Sequence, residues 1–91
     1  MTTSRIIEIL NYPDAALVEH AIKRANLTSK ELQILQLREF QNETIESAAE
    51  TLLVSDSTVK RRYRDAISKL DVCWSGIPWI KELKPIGKFK Q

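Results

Sequence analysis

Lys60-Arg61-Arg62-Tyr63-Arg64, with Ser57 and Thr58 just ahead of it, is the grouping in this 91-residue sequence best able to act on a partner. Guanidinium and ammonium groups neutralise phosphates, and a planar guanidinium can grip a guanine edge at two points. Candidates for catalysis do not assemble. Asp56, Asp65 and Asp71 lie among Lys and Arg at spacings that do not converge on one helix face, and salt-bridging or capping is expected of them. His20 has Glu19 beside it but no Cys, second His or carboxylate at ligand spacing, and Cys73 has no base partner. Recognition without catalysis, metal or cofactor is therefore the expected chemistry.

Those cations need a helix to present them. At roughly 100° per residue, Val59, Tyr63, Ala66 and Leu70 share one side of a helix capped by Ser55, with Ile67 at the margin. Ser57, Arg61 and Arg64 then point outward, flanked by Thr58 and Arg62 on one edge and Lys60 on the other. Upstream, Thr44 can cap a helix whose Ile45, Ala48, Ala49 and Leu52 face inward, and Leu53-Val54 makes the turn between the two. Two capped helices, a tight turn and a basic outer face form the layout of a helix-turn-helix that reads double-stranded DNA. A major groove admits one such helix by its N-terminal turns, which makes Ser57, Thr58, Arg61 and Arg62 the expected base-reading residues. Lys60 and Arg64 suit phosphates, as do the helix starts at Thr44 and Ser55.

The remaining elements are also helical, so the expected fold is all-α: about five helices in a small bundle, followed by an aromatic segment. Ser4 to Leu10 suits a first helix, with Ile6, Ile7 and Leu10 on one side. Pro13 fits the first position of a second, with Ala16, Leu17, His20, Ala21 and Ala25 as its apolar stripe and Asn26 as its end. Thr28-Ser29-Lys30-Glu31 is a capping box that opens a third helix running to about Phe40, with Leu32, Leu35 and Phe40 in the core and Ile34 and Leu37 alongside. The character changes after Leu70. We read 1–91 as one domain, with 27–70 as the helix-turn-helix core and 71–91 as an aromatic segment ending in a basic tail. Trp74, Ile77, Trp79 and Ile80 leave two readings open: a segment folded back over the first two helices, or a dimer or partner surface.

The net charge of +2 names no partner, but its distribution does. Residues 1–54 hold five Lys/Arg against eight Asp/Glu, whereas residues 55–91 hold nine against four, so the basic half begins with the proposed reading helix. One cysteine allows no intrachain disulfide. No apolar run reaches the roughly 20 residues of a membrane span, and Met1-Thr2-Thr3-Ser4 lacks a secretion signal's pattern. A cytoplasmic, nucleoid-associated protein is expected.

Leu35 through Leu70 resembles the C-terminal promoter-binding domain (region 4) of sigma-70 family factors. The resemblance rests on Leu37-Arg38-Glu39-Phe40, on Thr44-Ile45-Glu46-Ser47-Ala48-Ala49-Glu50-Thr51-Leu52 and on Val54-Ser55-Asp56-Ser57-Thr58-Val59-Lys60-Arg61-Arg62, with Leu27-Thr28 extending it. Small phage-encoded sigma-like regulators resemble the chain in Ser57 to Arg64 as well. The resemblance implies promoter binding through the fifth helix, with RNA polymerase as a further partner; a homodimer is a separate expectation, since helix-turn-helix proteins commonly pair to read two half-sites and the Trp74 to Ile80 segment is the candidate contact. It departs at Leu53, where the family usually has Gly, so a left-handed residue costing about 1 kcal/mol or another turn is expected there. No segment resembles the domain that melts DNA, so a stand-alone transcription regulator is expected rather than a complete sigma factor. Two other readings compete with it: a phage DNA-packaging protein of the terminase small-subunit kind or a recombination accessory, and a polymerase-docking module that does not read DNA.

Overall fold

A computed structural model describes residues 1–84; the basic tail from Pro85 onward lies outside the described residues. In chain order the elements are α1 (Thr3–Leu10), α2 (Ala15–Arg24), α3 (Ser29–Leu35) continuing into a π-helical turn (Gln36–Phe40), α4 (Ile45–Leu52), α5 (Asp56–Trp74) and α6 (Pro78–Lys81). Every described element is helical, as the pattern of apolar positions requires.

Side-chain caps decide where five of these helices start. Thr2, Asp14, Thr28, Thr44 and Ser55 each accept from the amide three residues on, at 3.0–3.2 Å, satisfying a donor the helix itself leaves unpaired. At Thr28 the box is reciprocal, because Glu31 accepts from the Thr28 amide at 2.9 Å. Asp14 takes the cap of α2, so Pro13 lies outside the helix rather than at its first position. Asn26 ends the helix region as expected, in the left-handed conformation at φ 54°.

The buried stripe of α2 is Val18, Ala21 and Ile22; of the expected stripe Ala21 is buried and Leu17 and Ala25 pack partly buried on the core, whereas Ala16 and His20 are exposed. The helix is turned so that Val18 and Ile22 take the inward positions in place of Ala16 and His20, a greater apolar gain because both are β-branched aliphatic side chains. A second departure follows α3. Ile34, Leu35 and Leu37 are buried, yet Phe40 is 45% exposed. The chain from Gln36 widens into i→i+5 bonding, closed by Gln41 N donating to Gln36 O at 2.9 Å, so positions 38–40 fall behind the α-helical frame and Phe40 leaves the core face.

The core has two parts. A larger one joins α1, α2, Leu35 of α3, the second half of α5 and α6, and a smaller one of Ile34, Leu37, Ala48, Ala49 and Val59 holds α4 against α3 and α5. Helix α5 is the spine of both, packing against α1, α2, α3, α4 and α6. It runs four residues past Leu70, because Trp74 continues the i, i+4 stripe into the core.

Trp74 and Ile80 have no exposed surface and Ile77 keeps 8%, so three of the four residues read also as a dimer or partner surface are core. A side chain enclosed by its own chain has no area left to bury against another. The indole of Trp74 donates to the Ala21 carbonyl at 2.8 Å, which satisfies its one polar group and ties the end of α5 to α2. Trp79 keeps 37% of its surface and stacks on His20 with ring centroids 5.8 Å apart and planes at 20°.

Candidate nucleic-acid interface

The turn before α5 is built from backbone hydrogen bonds and one unusual residue. Val54 N donates to Ala49 O at 3.0 Å and Leu53 N to Glu50 O at 3.3 Å, the two bonds of a Schellman ending, with Leu53 left-handed at φ 58° and ψ 46°. Of the two expected routes through the turn, the chain takes the left-handed one. Val54 packs on the small core beneath, while Leu53 is 89% exposed and gains almost nothing from its side chain. Ala48 and Ala49, both buried in the small core with Ile34, Leu37 and Val59, present only methyl groups, so α4 can approach its neighbours closely.

Turn and cap together set how α5 begins. Ser57, Lys60, Arg61 and Arg64 are exposed, Thr58 and Arg62 are half-buried at the edge, and Val59 is fully buried on the opposite side. The predicted outer face is thus one continuous surface. Among the described residues, none of Lys60, Arg61, Arg62 and Arg64 pairs with a carboxylate. Three of the eight other described cations do pair, Arg5 with Glu8 at 2.7 Å, Lys23 with Glu19 at 3.7 Å and Lys69 with Glu31 at 2.9 Å, so what sets Lys60 to Arg64 apart is their crowding along one stretch of helix. Four unneutralised cations within five residues create a local positive potential that a polyanion can relieve.

The hydroxyls on this face are less free than the cations. Ser55 Oγ accepts from Thr58 N at 3.1 Å and lies 3.0 Å from Thr58 Oγ1, so both hydroxyls serve the cap. Thr44 Oγ1 likewise accepts from Ser47 N at 3.0 Å. Near the start of α4 a carboxylate already collects donors, since Glu43 accepts from Ser47 Oγ at 3.0 Å and Thr51 Oγ1 at 3.4 Å. At Thr44 and Ser55 an anion would therefore meet first-turn amides rather than free side-chain hydroxyls.

One cluster behind the face is invisible to periodicity. Tyr63, expected only as a core residue, sends its hydroxyl to Glu39 Oε2 at 2.5 Å, while the Arg38 guanidinium lies 5.7 Å from the centre of its ring. Arg38 in turn donates to the Glu43 carbonyl at 2.5 Å, one residue before the cap of α4. Burial, then the hydrogen bond to Glu39 and its charge, push the Tyr63 hydroxyl's pKa well above its ordinary value, with Arg38 opposing. The hydroxyl stays protonated and remains a donor. The only hint in the sequence is a Tyr placed where a purely apolar residue would serve.

Among the described residues no three His, Cys, Asp or Glu side chains gather as metal ligands, and no helix is long and apolar enough to cross a membrane. Asp71 pairs with the Met1 amino group at 3.1 Å and accepts from the Ser75 hydroxyl at 3.1 Å, an ionic and local role as expected. A groove of about 590 Å³ runs between α1, α2 and the π-turn, with Leu10, Val18, Ile22 and Phe40 among its lining residues.

Comparison with known proteins places the same segment at the centre. The family model described as sigma-70, region 4, matches residues 25–71, more than half of the chain, from the residue after α2 through α3, the π-turn, α4 and most of α5. No curated protein and no solved structure matches the chain.

Proposed function

The chain belongs to the sigma-70 region 4 family, and on that footing we propose that it is a sequence-specific transcription regulator that lays the first turns of α5 in the major groove of duplex DNA. One observation carries this reading above the rest: Lys60, Arg61, Arg62 and Arg64 stand without carboxylate partners among the described residues, directly after a capped, hydrogen-bonded turn. Arg61 and Arg62, with Ser57 and Thr58, are assigned to base edges; Lys60 and Arg64, with the amides at the starts of α4 and α5, are assigned to phosphates. Binding rather than catalysis is the activity, and a protein bound to the chromosome works at the nucleoid.

Selection of bound duplexes from a random library tests the reading. A defined motif is the expected result, and its symmetry reports whether one copy or two bind. Recovery of unselected sequence with strongly salt-dependent affinity would sink the proposal, because phosphate attraction alone gives that outcome. The family makes RNA polymerase the second partner to test, by co-purification of the holoenzyme with the tagged chain.

A further inference from the structure

Arg38, Glu39 and Tyr63 connect three elements that a reading helix depends on. Tyr63 lies on α5 between Arg62 and Arg64, Glu39 and Arg38 lie on the π-turn, and Arg38 reaches the Glu43 carbonyl at the entry to α4. Among the described residues, Tyr63 is also the one partly buried hydrophobic side chain that packs against both parts of the core. The smaller core beside it is apolar throughout, with Ala48, Ala49 and Val59 buried together with Ile34 and Leu37. Apolar contacts are non-directional, and the polar ties of α5 to α2 and α3, through Trp74 and Lys69, lie in its later turns, away from the turns that carry Arg61 and Arg62. A tyrosine hydroxyl, far from the helix axis and directionally bonded, opposes rotation about that axis strongly.

Base reading is sensitive to such rotation, since recognition constellations hold only when kept within about 0.5 Å and 10–20° of their productive geometry. An arginine tip lies farther from the helix axis than any backbone atom, so a small rotation moves it most. We infer that Tyr63 is a positioning residue for sequence readout, its hydroxyl bond to Glu39 fixing the rotation of α5 so that Arg61 and Arg62 address base edges together. The π-turn serves this function because it sets two consecutive side chains, Arg38 and Glu39, on the same tyrosine. The inference rests on the DNA-reading function proposed above and names what tunes its specificity.

The test uses the full chain and the duplex selected by the unmodified protein, beside a scrambled duplex of the same length and composition. Affinities are measured at a temperature where circular dichroism shows every variant fully folded. Tyr63→Phe keeps the ring and removes only the hydroxyl; it should weaken binding to the selected duplex about 2- to 10-fold, the worth of one hydrogen bond, and leave the scrambled duplex and the salt dependence unchanged. Glu39→Ala should do the same, whereas Glu39→Gln, whose amide oxygen can still accept from the tyrosine, should restore most of the preference. Equal losses on both duplexes, or no loss on either, would overturn the positioning role while leaving DNA reading intact. An unmodified chain with no preference for any duplex would overturn both.

Discussion

Lys69 Nζ lies 2.9 Å from Glu31 Oε1, so the carboxylate that closes the capping box of α3 also holds the back of α5. Glu31 is 8% exposed, the one charged residue in the buried set among the described residues. Burial alone would raise its pKa; the Thr28 amide, the Lys69 ammonium and the Thr28 hydroxyl outweigh it and hold the carboxyl below its usual 4.5. A depressed folded-state pKa stabilises the fold above the unfolded value. That contribution should be complete above about pH 4.5 and disappear as the pH falls below it, through the lower folded value. Glu31→Ala should cost about 1–3 kcal/mol near neutral pH and remove this acid-sensitive step, as urea unfolding from pH 3 to 7 would reveal.

Leu53 occupies a left-handed position while exposing 89% of its surface, so it carries backbone strain with no burial to offset it. Leu53→Gly should stabilise the chain by about 0.5–1 kcal/mol, the relief of strain exceeding the added entropy of the unfolded chain. Leu53→Val should destabilise it, because a β-branched side chain tolerates this conformation less well. Denaturant midpoints at unchanged slope would decide the matter.

Trp74 and Trp79 should respond very differently despite their proximity in sequence. Trp74→Phe removes volume from a fully buried site along with the donor to Ala21, and should cost about 1–3 kcal/mol. Trp79→Ala removes a partly exposed ring stacked on His20 and should cost about 1 kcal/mol or less. Similar losses for the two would contradict the burial described above.

Arg61→Ala should weaken binding to the selected duplex by about 1–3 kcal/mol and relax preference at one base pair. Lys60→Ala or Arg64→Ala should weaken all duplexes alike and reduce the salt slope by about one. Binding isotherms on selected and random DNA at several salt concentrations separate the two patterns. Equal losses on both duplexes would remove Arg61 from the base-reading set.

Much of the fold is legible because its causes are local. Thr28, Thr44 and Ser55 announce helix starts by chemistry that acts over three residues, and the capping box appears where Thr28 and Glu31 place it. Ala48, Ala49, Val59, Ala66, Ile67 and Leu70 are buried as helical spacing predicts. Where two apolar frames compete, as in α2, local spacing does not choose between them, because the neighbours that reward Val18 and Ile22 come from other helices. The π-turn is hidden for a similar reason: the Arg38, Glu39 and Tyr63 cluster around it joins positions 24 residues apart in sequence.

By itself, then, the sequence determined the helical class, the capped pair of helices and the basic outer face of the second, since propensity, capping and charge are properties of short segments. Only the tertiary structure decided which of Trp74, Ile77, Trp79 and Ile80 are core, where Phe40 points, and how Tyr63 is tethered to Glu39 and Lys69 to Glu31. Those outcomes depend on which helices meet, and that is settled by burying apolar area and pairing polar groups across the whole chain at once.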